Sequence, residues 1–214
     1  MLFAAALLWS GSALAGYLYI FRYESKPATL ASAARHWPEG SGLNHMAGAF
    51  ELVMVVHPRC PCTRASVAEL NKLLLRFQGK LRAHALVLKP FETSEAWGQT
   101  EISARLAQMP YLETVKDYRG ATAERFGALI SGETLLYGPT GTLLFDGGLT
   151  AFRGHEGPSL GQTLLSSMVA GSETGFHQTK VFGCSIKDKV CPHENDSRPE
   201  TGQTGGTHAS QQRI

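Results

Sequence analysis

The order of strand and helix patterns in the middle of the chain constrains the fold more than any other feature. Residues 49–57 (AFELVMVVH) form a β-branched apolar run of strand length. Apolar side chains then recur over residues 67–77 at the spacing of one helix face. Further patterns alternate in the same way: a strand over 81–88, a helix over 99–108, an extended piece over 112–116 and a helix over 121–126. This alternation predicts strands joined by helical crossovers.

A predicted hairpin and a helix close this region. Residues 133–137 and 142–146 flank the sequence GPTG at 138–141, which is a strong turn signal. A last helical pattern follows over 158–170, with a proline suited to its first turn. Parallel crossovers that end in an antiparallel hairpin and a helix predict an α/β fold. We expect a three-layer sandwich with a mixed central sheet, most often a thioredoxin-like arrangement.

The N-terminal segment predicts one transmembrane helix. Residues 2–21 carry no charge and reach the roughly 20 residues that a helix needs to cross a bilayer. An uncleaved anchor over 1–22 is favoured, because the apolar run continues past Ala15 and exceeds the ~7–15 residues of a signal-peptide core. The alternative is a signal peptide cleaved after the small residues at 13–15.

The rest of the chain divides by composition. Residues 23–47 contain Pro, Gly, Ser and Ala without a sustained apolar period, which is typical of a linker. The folded domain is expected over 48–186, and a polar tail over 187–214 is expected to be disordered. The formal net charge is +2 and no basic run occurs, which argues against nucleic acid as a partner.

Two thiols lie where the first helix begins. Cys60 and Cys62 follow the first predicted strand, the kind of position where α/β sheets carry reacting groups. The start of a helix favours a thiolate, and Arg59 and Arg64 add cations. We predict a redox pair in which Cys60, as the N-terminal and more exposed thiol, attacks and Cys62 resolves. A one-residue spacer makes their disulfide strained and easily reduced. Two buried apolar cysteines are the weaker alternative.

A metal site is the main rival hypothesis. His57, Cys60 and Cys62 form an H-x-x-C-x-C cluster whose imidazole and thiolates suit Cu(I) or Zn²⁺. No fourth ligand follows at a standard spacing. We therefore expect no cofactor and keep copper, in a copper-binding protein or metallochaperone, as the alternative.

Four further residues are candidates for the same site. Arg153 and His155 follow the last strand of the hairpin; they are predicted to lower a thiol pKa or orient a substrate, with His155 as a proton carrier. A solvated pair of loop residues is the alternative. Cys184 and Cys191 are predicted to form a structural disulfide, with a relay to Cys60 and Cys62 as the alternative. Disulfides indicate an oxidising compartment, and this outweighs the basic residues after the anchor, which by charge alone favour a cytoplasmic domain.

Several blocks together resemble a known family. HPRCPCTRAS at 57–66, GGLT at 147–150 with RGH at 153–155, and VFGC at 181–184 are similar to the RedB-type branch of thioredoxin-like proteins, relatives of the membrane-anchored TlpA and ResA group. The resemblance implies a thioredoxin fold on the bacterial inner membrane, facing the periplasm. It also implies exchange with protein thiols or disulfides, in cytochrome or oxidase maturation.

One departure from the thioredoxin pattern supports a third hypothesis. Thioredoxins place a cis-proline facing the reactive thiols, and the corresponding position near Gly132-Glu133 holds no proline. Gly132 would allow another backbone to approach closely instead. A non-catalytic binding module on a thioredoxin-like scaffold is therefore a further alternative.

Overall fold

The computed structural model describes residues 2–91 and 93–187. The helices are α1 (Leu2–Glu24), α2 (Thr63–Arg76), α3 (Glu101–Leu106), α4 (Ala121–Phe126) and α5 (Leu160–Val169), with a 3-10 turn at Glu95–Gly98. The strands are β1 (Phe50–Val56), β2 (Leu81–Lys89), β3 (Leu112–Tyr118), β4 (Glu133–Tyr137), β5 (Leu143–Gly148) and β6 (His177–Gln178).

One mixed sheet organises the domain. Its strand order is β3-β2-β1-β4-β5-β6. Strands β1, β2 and β3 are parallel, whereas β4 is antiparallel to both β1 and β5. The crossover β1-α2-β2 and the hairpin β4-β5 followed by α5 make this a thioredoxin-like α/β sandwich, as predicted. The α3-β3 unit lies between those two halves in sequence and extends the sheet beyond β2.

Alternation along β1 separates two apolar layers. Leu52, Met54 and Val56 face one side of the sheet, where α2 and α5 contribute buried Leu, Val and Met side chains. Val53 and Val55 face the other side, where Phe126 of α4 is fully buried. Because β1 is buried on both faces, its sequence is a continuous apolar run rather than an alternating one.

The segment that precedes β1 packs on the domain more closely than the linker prediction implies. The Trp37 ring lies 5.1 Å from the Phe126 ring and 5.2 Å from the Tyr137 ring, centroid to centroid. The Tyr137 hydroxyl donates a hydrogen bond to the Ala34 carbonyl at 2.9 Å, and Leu43 is buried. Residues 33–43 therefore form part of the second apolar layer. A single tryptophan among small residues has no period by which the sequence could indicate this.

Helix α1 stands apart from the core. None of its side chains is buried, and its length and mean hydropathy of 1.4 suit a membrane span or a signal sequence equally. It touches the domain at its end, where Arg153 N–H donates to the Glu24 carbonyl at 3.1 Å and the Phe21 ring lies 6.3 Å from the Phe152 ring. The predicted tail lies outside the described residues apart from Lys187.

Candidate active site

Cys60 and Cys62 lie in the turn between β1 and α2. Cys60 N–H donates to the His57 carbonyl at 3.0 Å, and Thr63 N–H donates to the Cys60 carbonyl at 3.1 Å. Cys62 caps α2 in a helical conformation. The position agrees with the prediction, but the predicted exposure is wrong: Cys60 is 0% exposed and Cys62 is 8% exposed. Cys60 is covered because a distant part of the chain lies against it.

That distant part brings a third thiol to the pair. Cys184 Sγ lies 3.0 Å from Cys60 Sγ, and its side chain also forms a hydrogen bond with Cys62. Cys60, Cys62 and Cys184 are not joined to one another by a disulfide, and Cys184 is half-buried. Cys191, its predicted disulfide partner, lies outside the described residues. The predicted Cys184–Cys191 disulfide therefore stays a prediction.

Backbone pairing holds Cys184 in place. Ser131 N–H donates to the Cys184 carbonyl at 2.8 Å, and Ile186 N–H donates to the Leu129 carbonyl at 2.9 Å. A Cβ on Gly183 would lie 1.8 Å from the Ser131 carbonyl oxygen, so only glycine permits this approach. Segments 129–131 and 184–186 therefore run side by side as a short antiparallel pair, next to the thiols.

A hydroxyl chain links this pair to the start of α2. Ser131 Oγ accepts a hydrogen bond from His57 N–H at 2.7 Å and lies 2.6 Å from Thr63 Oγ1. The Thr63 hydroxyl in turn bonds the Cys60 sulfur. Ser131 and Thr63 were not predicted. Short polar side chains next to a strand or a helix start are too common in sequences to indicate this role.

The pKa values of Cys60 and Cys62, the two thiols of the Cys-Pro-Cys (CPC) turn, are shifted in opposite directions. Hydrogen bonds with the Cys184 side chain and then with the Cys62 side chain hold the pKa of Cys60 far below its usual range; the Thr63 hydroxyl and the backbone of Cys184 add to this, against the effect of burial. At Cys62, the Cys184 thiol and Arg153 favour the charged form. The hydrogen bond with Cys60, burial and the Cys60 charge outweigh them and raise the pKa of Cys62. Cys60 is therefore the more acidic thiol of the two and Cys62 the less acidic one.

Among the predicted cations, Arg153 reaches the thiols. Its side chain lowers the pKa of Cys62, and its Nη1 donates to the Gly183 carbonyl at 3.0 Å. The same guanidinium donates to the Lys26 carbonyl at 3.2 Å and lies 5.4 Å from the centre of the Tyr23 ring. Arg153 thus joins the thiol site to the chain just after α1.

The other predicted supporting residues have different partners. The Arg59 guanidinium lies over the Trp97 ring at 5.0 Å, and Arg64 forms an exposed ion pair with Glu101 at 3.3 Å. His155 Nε2 lies 3.3 Å from the carboxylate of Glu24. The predicted cationic role of Arg64 and the proton-carrier role of His155 are therefore not supported by their positions. A charged residue close in sequence to a site turns outward when an opposite charge is nearer.

The geometry does not favour the metal hypothesis. His57 Nδ1 accepts a hydrogen bond from Arg59 N–H at 3.2 Å, and its ring packs edge-on against Trp97 at 5.6 Å. Over residues 2–91 and 93–187, no group of three or more His, Cys, Asp or Glu side chains is arranged to hold a metal ion. His57, Cys60 and Cys62 are neighbours in sequence without forming such a group.

Gly132 lies directly before β4, near the position where the sequence comparison expects the thioredoxin proline. Its φ is +89°, in the region that favours glycine. Its N–H donates to the Val55 carbonyl at 2.7 Å, and an added Cβ would lie 2.9 Å from Ser66 Oγ. The close approach expected at this glycine is therefore to β1 and α2 of the same domain.

The sheet topology is thioredoxin-like, and two thiols lie where α2 begins. The chain is similar to a hypothetical protein from Sinorhizobium meliloti 1021 (20% identity, 77% of this chain and 97% of that chain, TM-score 0.54). It is also similar to an uncharacterized conserved protein from Geobacillus kaustophilus, at 16% identity over 78% of this chain and 93% of that chain, with a TM-score of 0.54. A secreted Mycobacterium tuberculosis disulfide oxidoreductase homologous to E. coli DsbE matches at 16% identity over 59% of this chain and 84% of that chain, with a TM-score of 0.42.

These likenesses concern the fold alone. No family model matches the chain, and no curated protein is similar to it. The RedB-type resemblance therefore stays a prediction, and the activity has to be argued from the site.

Proposed function

We propose that this protein is a membrane-anchored thiol–disulfide oxidoreductase that works through Cys60 and Cys62. The observation that carries the proposal is the placement of Cys60 and Cys62 at the start of α2, with the Cys184 sulfur 3.0 Å from the Cys60 sulfur. There the pKa of Cys60 is lowered and the pKa of Cys62 is raised. Exchange requires a thiolate to attack and a second thiol to resolve the mixed disulfide. Both are present within one turn of the chain.

The chemistry follows from this polarity. The Cys60 thiolate attacks one sulfur of a disulfide, the S–S bond of the substrate breaks, and the first product leaves as a thiolate. Cys62 then gives its proton to that thiolate and attacks Cys60 Sγ, which releases the second product and leaves a Cys60–Cys62 disulfide. The reverse steps oxidise a dithiol. The substrate class is a protein thiol or disulfide.

The location belongs to the same proposal. Helix α1 is long and apolar enough to anchor the protein, and a dithiol–disulfide couple is typical of an oxidising compartment. We place the domain on the periplasmic side of a bacterial inner membrane. The RedB-type resemblance supports a role in cytochrome or oxidase maturation.

A redox titration tests the proposal. The full chain, purified in detergent, is equilibrated with mixtures of reduced and oxidised glutathione, quenched with acid and alkylated, and its thiols are counted by mass. We expect a reversible two-electron couple that is lost in Cys60→Ser. The matched control is Cys191→Ser, the same change at a cysteine outside the described residues, which should keep the couple. A couple that survives in Cys60→Ser would contradict the proposal.

The rival functions give different results in parallel measurements. A copper protein would bind one Cu(I) tightly under anaerobic conditions, would lose that binding in Cys60→Ser, and would show no reversible couple. A non-catalytic binding module would show neither. Measurable turnover of a disulfide substrate excludes the binding module.

A further inference from the structure

We propose that Cys184, in place of Cys60, makes the first attack on the substrate and then exchanges with Cys60, so that the site is a three-thiol relay. This inference rests on the proposed oxidoreductase function. Cys60 is 0% exposed and Cys62 is 8% exposed, whereas Cys184 is half-buried. A bulky protein disulfide therefore meets the Cys184 sulfur before either sulfur of the CPC turn.

The backbone around Cys184 holds its sulfur for exchange with Cys60. Hydrogen bonds to segment 129–131 fix the chain at Cys184 and at Ile186, and Arg153 holds the Gly183 carbonyl on the other side. The two sulfurs lie 3.0 Å apart and share a hydrogen bond. Cys60 and Cys184 are far apart in sequence, so a disulfide between them closes no small ring. The one-residue spacer imposes such a ring on Cys60–Cys62.

The relay moves two electrons in balanced steps. The Cys184 sulfur attacks a substrate disulfide R–S–S–R′; the S–S bond breaks, and the Cys184 proton leaves with R′ as the thiol R′SH. The Cys60 thiolate then attacks Cys184 Sγ, the bond to R breaks, and RS⁻ leaves as the Cys60–Cys184 disulfide forms. Cys62 next attacks Cys60 and gives its proton to the released Cys184 thiolate. An external dithiol restores the three thiols by the reverse steps.

Peptide mapping of the unaltered chain tests the order of these steps. The reduced full chain in detergent is mixed with a limiting amount of glutathione disulfide, quenched with acid at successive times and digested with trypsin. The tryptic peptides 60–64, 181–187 and 190–213 carry the CPC pair, Cys184 and Cys191 separately. We expect glutathione on peptide 181–187 first, then a cross-link between 60–64 and 181–187.

Variants measure how much Cys184 contributes. Because access to the attacking thiol limits exchange, Cys184→Ser should slow the oxidation of Cys60 by on the order of tenfold or more. Cys191→Ser should leave the rate unchanged, and Cys62→Ser should let the cross-link between 60–64 and 181–187 accumulate. Cys184→Ala and thermal unfolding curves show whether a slow variant is still folded.

The outcomes separate the two proposals. Glutathione found first on peptide 60–64, with an unchanged rate in Cys184→Ser, overturns the relay while leaving the oxidoreductase function intact. A Cys184 found only in a link to peptide 190–213 overturns it as well and returns the pair to a structural disulfide. The absence of any reversible couple in the unaltered chain contradicts the oxidoreductase function itself.

Discussion

Two buried acidic groups lie on either side of segment 129–131, and their pKa values are shifted in opposite directions. One is the thiol of Cys60, and the other is the carboxyl group of Glu133, which is paired with Asp146. At the thiol site, hydrogen bonds with Cys184, Cys62 and Thr63 lower the pKa of Cys60 despite its burial. Glu133 is the first residue of β4, and Asp146 lies in β5. Burial raises the pKa of Glu133 to about 8, with a smaller contribution from the charge of Asp146. Burial also raises the pKa of Asp146. The number of donors around a buried acid, set against its desolvation, decides which form the fold keeps.

The carboxyl pair supports the segment that positions Cys184. Glu133 Oε2 accepts hydrogen bonds from Leu129 N–H and Ile130 N–H, both at 2.9 Å. Residues 129–131 are the ones that pair with the chain around Cys184. Asp146, in turn, accepts a hydrogen bond from Gln178 at 2.8 Å. Glu133 is therefore a positioning residue for the third thiol, and its protonation stabilises the fold.

The largest expected effect is on the pH dependence of stability. The folded state keeps the Glu133 proton up to about pH 8, whereas the unfolded chain releases it near pH 4.5. The free energy of unfolding therefore decreases as the pH rises between these values, by at most about 1.4 kcal/mol per pH unit. Glu133→Gln keeps an oxygen acceptor for both N–H groups and should remove this loss, as urea unfolding under reducing conditions would measure.

Cys60→Ser is the matched opposite case for that experiment. The lowered pKa of Cys60 means that the unfolded chain binds a proton that the folded state does not bind. This contribution to stability therefore grows as the pH rises towards the ordinary thiol pKa of 9.0. Cys60→Ser should flatten the rise, whereas Glu133→Gln should steepen it. If both variants change the slope of the unfolding free energy against pH in the same direction, the pKa values of Cys60 and Glu133 are not shifted in opposite directions.

The close approach at Gly183 is the next largest expected effect. Gly183→Ala places a methyl group against the Ser131 carbonyl, so the segment that carries Cys184 must move. Overpacking of this kind costs about 1–3 kcal/mol, and the Cys60–Cys184 cross-link should decrease in peptide maps. Gly98→Ala is the control, because nothing lies within 4 Å of its added Cβ. A Gly183→Ala chain of normal stability with a normal cross-link yield would show that this contact does not hold Cys184.

The sequence predicted the scaffold much better than it predicted the site. The helix over 121–126 and the hairpin β4-β5 were predicted closely, since apolar periods and turn residues are local signals. The same reasoning placed Cys60 and Cys62 at the end of β1. Cys184 could not be placed, because it follows β6 in a stretch without regular structure whose position depends on glycine contacts and pairing with segment 129–131.

Arg153 links the thiol site to the segment after α1, and its effect should be smaller. Arg153→Gln removes a charge that favours the ionised form of Cys62, so the pKa of Cys62 should rise further. Arg153→Lys should restore part of the charge while losing the two-armed contact with the Gly183 and Lys26 carbonyls. The pH dependence of alkylation at Cys62, read from peptide 60–64, measures both changes. An unchanged pH profile of alkylation in Arg153→Gln would show that Arg153 does not influence the pKa of Cys62.

The smallest effect is expected at Arg64, although it lies only two residues from Cys62. Its guanidinium and the Glu101 carboxylate are both more than half exposed, and exposed ion pairs contribute about 0–1 kcal/mol. Arg64→Gln should therefore leave the alkylation profile of Cys62 and the rate of Cys60 oxidation unchanged. A shift as large as that of Arg153→Gln would mean that sequence proximity to the helix start, rather than contact with the sulfur, sets the charge of the thiols.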